Sequence, residues 1–193
     1  TTALNFLQNA NRFHCAWPHW MNGNNGQVIP FSPQDDGGDL VETAFLAQGL
    51  ICVREYFKTP TDSAELALSQ KADSLWRGIE WNWYTQGQNV LYWHWSPNFN
   101  FQMNHKLQGF DETLITYVLA AASPDHSITK PVYQQGWARN GGIANAASQY
   151  GLPLVVKHNG ANNTVGPMFW SHYSFLGLDP RGLSDEYVNY GNV

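Results

Sequence analysis

The sequence predicts a mainly α-helical fold, a toroid of helical hairpins, and three observations point there. Helical periodicity dominates the 193 residues and strand-like segments are few. Segments apolar on every side alternate with amphipathic ones, as inner and outer helices of a ring do. The connections are long and rich in Gly, Pro and Asn, whereas the rival four-helix bundle joins its helices by short loops.

Taken in order, Ala3 to Phe13 spaces Leu4, Leu7, Ala10 and Phe13 along one helical face. Asp39 to Phe57 is apolar nearly all round, so it is expected to be a helix buried on all sides. Ser63 to Tyr84 is amphipathic: Ala64, Leu68, Ala72, Leu75, Ile79 and Trp83 form a stripe, and Lys71, Asp73, Arg77 and Glu80 fall elsewhere. Glu112 to Ser123 is again apolar on all sides and is closed by Pro124. Pro131 to Arg139 is expected to open another outer helix, and Leu183 to Tyr190 a third inner one. "NVLYWHW" and "PLVVKH" read as hairpin arms within long loops. Cys15 and Cys52 are too few and too far apart for a disulfide framework and read as small core residues.

Composition removes several function classes. A net charge of −5 with 13% charged residues leaves no basic footprint for nucleic acid or an anionic membrane. No run of 18 apolar residues is present to span a bilayer as a helix. His94, His105, His126, His158 and His172 show no metal-binding spacing, so neither metal nor cofactor is expected.

The stretch "FSPQDDGGDLVETAF" places Asp35, Asp36, Asp39 and Glu42 within eight residues. Asp39 and Glu42 have the spacing of a capping box, and Asp111 in "GFDETL" can cap the next apolar helix, with Glu112 in its first turn. Capping alone leaves Asp35 and Asp36 unexplained, as it does the concentration of acid pairs at the starts of inner rather than outer helices. In a toroid those starts share one rim, where converging carboxylates raise one another's proton affinity, as a general acid requires. Gly37 and Gly38 would allow a sharp turn and leave room for a ligand. The loop "YWHWSPNFNFQMNH" would overhang the same rim, and its rings and amides suit a sugar, with its apolar CH faces and its hydroxyls.

Four ordered stretches, "DDGGDLVETAFLAQGL", "LYWHWSPN", "GFDETLITYVLAAASP" and "GPMFWSHYSFLGLDPRGL", resemble the bacterial glucoamylase-like domain family, which includes the endo-β-1,2-glucanases of glycoside hydrolase family 144. The resemblance implies an (α/α)6 toroid and inverting hydrolysis of a β-linked glucan. It implies that Glu112 is the general acid, that Asp35, Asp39 and Glu42 line the site, and that Asp36, Trp93, His94, Trp95, Asn104, His105, Asp111, His172 and Tyr173 touch substrate. It also implies that residues 1–193 form the N-terminal half of one catalytic domain, with the expected base in the missing half. The open half would be covered by that remainder or by another copy, and the protein would be periplasmic or secreted. Two alternatives stand beside hydrolysis: a non-catalytic glucan-binding fragment, and β-elimination on an acidic polysaccharide, which the absence of an Arg/Lys cluster disfavours.

Overall fold

A computed structural model describes residues 2–193. It is helical with short antiparallel strand pairs: α1 (Thr2–Asn9), β1 (Trp20–Met21), β2 (Val28–Ile29), β3 (Gly38–Asp39), α2 (Leu40–Tyr56), α3 (Ser63–Arg77), β4 (His94–Trp95), α4 (Leu114–Ala122), β5 (Ala144–Gln149), β6 (Leu152–Val156) and α5 (Met168–His172). Helix α2 is central and packs on both α3 and α4.

The expected full burial of α2 is not observed. Leu40, Val41, Ala44, Ala47 and Leu50 are buried, while Phe45, Leu46 and Ile51 are half-buried and Cys52 is exposed. The reason is geometric: α3 and α4 pack on α2, and the side bearing Phe45, Leu46, Ile51 and Cys52 is covered only in part. Cys52 is therefore no core residue, and Cys15 is only half-buried; both are free thiols.

Helix α3 follows its amphipathic stripe but stops at Arg77, with Gly78 as its C-cap. It also corrects the contrast drawn between inner and outer helices. The Asp62 carboxylate accepts from the amides of Ala64 and Glu65, and Glu65 accepts from Thr61 N, so this helix too starts on acids. The Pro131–Arg139 segment forms a π-helical turn, Val132–Trp137, and a short 3-10 turn instead of an α-helix. Leu183–Tyr190 forms no helix before its last residue. Asp185 Oδ1 accepts from Tyr187 N and Val188 N at 2.7 Å each, a local turn that competes with helical bonding.

"PLVVKH" is a hairpin arm, since β6 pairs with β5, and "NVLYWHW" is one too, with Tyr92 bridged antiparallel to Lys106, Trp93 N donating to His105 O and Leu107 N to Leu91 O. Its β4 reaches back across the chain to β3, setting Gly38 opposite Trp95 and Asp39 opposite His94. Buried hydroxyls then fix the intervening loops: Tyr84 Oη donates to Phe13 O, and Tyr117 Oη accepts from Leu91 N and donates to Leu107 O. Trp17, Trp76, Trp81 and Trp137 are buried, so part of the tryptophan excess is ordinary core.

Gly37 and Gly38 serve this packing rather than ligand room. A Cβ on Gly37 would strike Trp95 O and stand 2.8 Å from Ser96 Cα, and one on Gly38 would strike Tyr84 Oη. Gly37→Ala should lose about 1–3 kcal/mol of stability through overpacking. Gly49→Ala, in α2 with open space around it, should gain about 0.5–1 kcal/mol from the higher helix propensity of alanine. Urea unfolding of both variants checks the pair, and a Gly37→Ala protein as stable as wild type would contradict the packing argument.

Candidate active site

The β3–β4 pairing creates the site, because it sets the acid-rich start of α2 against the aromatic loop some fifty residues later. Asp39 is fully buried at the N-cap of α2. Its Oδ1 accepts from Val41 N and Glu42 N, both at 2.9 Å, and its Oδ2 faces Trp93 Nε1 at 2.9 Å and His19 Nδ1 at 2.8 Å. The second half of the expected capping box is absent, since Asp39 N donates to Trp17 O instead of to Glu42. With both oxygens engaged, Asp39 is held ready to organise its neighbours and poorly placed to accept a proton from water.

Asp35 is buried, with Oδ1 3.1 Å from Nε2 of the equally buried His94. That same nitrogen stands 3.2 Å from Gly37 N as its acceptor. One nitrogen cannot both accept from the amide and donate to the carboxylate, and Asp35 Oδ1 and His94 Nδ1 are left without hydrogen-bond partners. Asp36 takes a structural part, accepting from Ser96 Oγ and from Asn98 Nδ2 at 2.6 Å, which ties the "QDDGG" turn to the aromatic loop.

Glu112 lies just before the N-cap of α4, Thr113, and outside the helix in which it was expected. Asp111 makes a turn, accepting from Thr113 N and Thr113 Oγ1, and does not cap α4. Capping falls to Ser174, whose Oγ accepts from Ile115 N and donates to Glu112 O. Glu112 is half-buried and its Oε2 is shut off without a partner. Its carboxyl is pushed up to about 7, first by loss of hydration and then by the charges of Asp111 and Glu42. Burial thus outweighs a backbone hydrogen bond at Glu112, which acts in the opposite direction.

Glu42 is the most solvent-accessible of these acids, yet its pKa is raised by partial desolvation and by Asp39. Asp111 is raised mainly by burial. His19 is raised by its hydrogen bond to Asp39 and by the charges of Asp39, Glu42 and Asp35, against the cost of burial. Sequence reasoning does not find His19: it stands in "WPHW" at no diagnostic spacing from any acid. Donor atoms of His19, Asp35 and Asp39 lie within 4.8 Å of one another, a grouping that spacing along the chain could not show. The engaged oxygens of Asp39 leave it little capacity for a cation.

The remaining candidates divide. Trp93 bonds Asp39 and stacks on His105, with centroids 4.9 Å apart, and His105 acts on the charge of Asp111, so all four are neighbours. Tyr173 packs edge-on against Phe45 of α2. Trp95 is turned into a separate aromatic group with Phe13, His14 and Trp83. His172 lines a different cavity, beside Val156, His158 and Val193, and Asn104 is an exposed left-handed turn residue.

Residues 104–193 match the family model Glycoamylase, described as "Putative glucoamylase". The chain is 42% identical over 205 residues to the exo β-1,2-glucooligosaccharide sophorohydrolase (non-reducing end) of Parabacteroides distasonis, covering 96% of this chain and 28% of that protein. It superposes with TM-score 0.95 and 53% identity on the endo-β-1,2-glucanase from Chitinophaga pinensis in complex with sophorotriose and glucose, over 98% of this chain and 45% of that one. A β-1,2-glucanase from P. distasonis gives TM-score 0.88 and 40% identity, over 97% and 29%. The chain therefore spans between about a quarter and a half of the length of these relatives.

Folded Glu112 holds its proton more tightly than an unfolded carboxyl of pKa 4.5. Folding therefore takes up a proton between about pH 4.5 and 7, and this group's contribution to stability falls as pH rises through that window. Glu112→Gln removes the titration. Its Tm relative to wild type should rise from pH 4.5 to pH 7 and level off above; a difference independent of pH would show that Glu112 titrates normally.

Proposed function

We propose that the chain is part of a glycoside hydrolase acting on β-linked glucan, with β-1,2-glucan as the substrate and Glu112 as the general acid. The single observation that supports it most is the state of Glu112, a half-buried carboxyl with an unpartnered oxygen and a pKa raised to about 7. Such a group carries its proton in about half the molecules at pH 7, and in more below it, so it has an O–H to deliver to a glycosidic oxygen as the bond breaks. The relatives named as β-1,2-glucan hydrolases support the substrate class.

In this mechanism burial, helped by the charges of Asp111 and Glu42, favours the protonated form of Glu112, and Asp39 holds the loop and helix start in place. Inverting hydrolysis needs a second carboxylate roughly 6.5–9.5 Å from the acid, with a water between it and the sugar. Asp39 is an unsuitable base because its oxygens are already engaged. We assign the base to the portion of the relatives' length that this chain does not span, with residues 1–193 forming the N-terminal half of an (α/α)6 toroid. The partly exposed apolar side of α2 supports that arrangement, since an inner helix needs the rest of the ring to bury it fully. A polymeric substrate favours a periplasmic or secreted location.

Glu112→Gln in the full-length gene product should lower release of reducing ends from β-1,2-glucan by about 10²–10⁴-fold, the usual contribution of a general acid. Wild-type activity should decline above about pH 7 as Glu112 loses its proton. Near wild-type turnover in the variant would exclude Glu112 from the mechanism. Oligosaccharide binding without any product from the wild-type protein would instead indicate a binding module.

A further inference from the structure

Next to the carboxylates lies a surface that the mechanism above does not use. The β1–β2 hairpin sets Trp20 opposite Ile29, and Phe31 follows two residues later. Trp20 is 51% exposed and Phe31 49%, large values for residues of this size in a chain with so much tryptophan in its core. Their rings meet edge to face with centroids 4.9 Å apart, so they brace one another while much of each stays in water.

His19 connects this surface to the acids. Its ring lies over Phe31, centroids 4.1 Å apart, and its Nδ1 is 2.8 Å from Asp39 Oδ2. The aromatic surface is therefore continuous with the acid cluster through one side chain. With Nδ1 committed to Asp39, Nε2 is the ring atom left for a hydrogen bond, beside the Trp20 and Phe31 rings. Apolar ring surface beside a fixed hydrogen-bonding nitrogen matches one pyranose, whose CH groups lie on an aromatic ring while a hydroxyl bonds to the nitrogen. The acidic surroundings and net charge of −5 match a neutral sugar and repel an anionic one.

We propose that His19, Trp20 and Phe31 form a glucosyl-binding subsite that holds a substrate unit away from the bond being broken, and so favours long chains over short ones. The proposal rests on the glucan reading above and adds residues to it. Trp20 and Phe31 are binding residues here. His19 both binds the sugar and positions Asp39.

The test compares long β-1,2-glucan with sophorotriose as substrates for the full-length gene product and its Trp20→Ala, Phe31→Ala and Trp20→Phe variants. Each alanine variant should raise KM for the long glucan about tenfold, the scale of one lost aromatic contact, with kcat within about twofold. The preference in kcat/KM for long glucan over sophorotriose should fall by about the same factor, and Trp20→Phe should retain most of it. Unchanged KM and chain-length preference in both alanine variants, or a fall in kcat alone, would overturn the subsite. Calorimetric titration of long glucan into Glu112→Gln, with and without Trp20→Ala, separates the two readings. Glucan binding that depends on Trp20 while the wild-type protein releases no product upholds the subsite and removes the hydrolase; wild-type hydrolysis that is indifferent to Trp20 does the reverse.

Discussion

The buried carboxylate of Asp39 is the interaction on which the rest of the site depends. It caps α2 through two amides, fixes the aromatic loop through Trp93 and draws in His19, so one side chain joins three segments distant in sequence. A buried carboxylate is tolerated only when its charge is met by donors, and here each oxygen has two close nitrogen contacts. The β3–β4 pairing supplies the geometry, and the bare backbones of Gly37 and Gly38 let the two strands approach closely enough for it.

Two carboxyl groups in this small region end up with opposite chemical character. Asp39 is surrounded by donors that stabilise its charge, whereas Glu112 has lost hydration on one oxygen without gaining a partner and holds its proton to about pH 7. A difference of this kind, with one acid engaged by donors on both oxygens and its neighbour left with an unpartnered, dehydrated oxygen, lets a proton donor persist beside other acids. Glu42 and His19 lie between them electrostatically, Glu42 raising Glu112 and His19 lowering Glu42.

Local pattern carried the helices well where the period was long. The stripe of Ser63 to Tyr84 and the apolar run after Glu112 each appear as helices, trimmed by Gly78 and by the turn at Asp111. It failed where a polar side chain offered the backbone a competing bond, as Asp185 does before Tyr190, and where a π turn replaced α-helical bonding at Val132. Burial was overestimated for α2 because apolar residues on every side show what a helix requires, not what surrounds it. Ser174 as the cap of α4 left no trace in its neighbourhood, since that hydrogen bond spans 59 residues.

By itself the sequence determined which residues are chemically capable: the acids of "DDGGDLVE" and "GFDE", the aromatic loop, and the N-cap role of Asp39, a local hydrogen-bonding pattern that spacing alone specifies. Only the tertiary structure decided what state each acid is in and what stands beside it. His19 joins Asp39 across 20 residues and Trp93 across 54, while His172, from a stretch that matched the family pattern, faces another cavity. The physical reason is that proton affinity depends on lost hydration and nearby charge, and both are set by segments that meet only when the chain is folded.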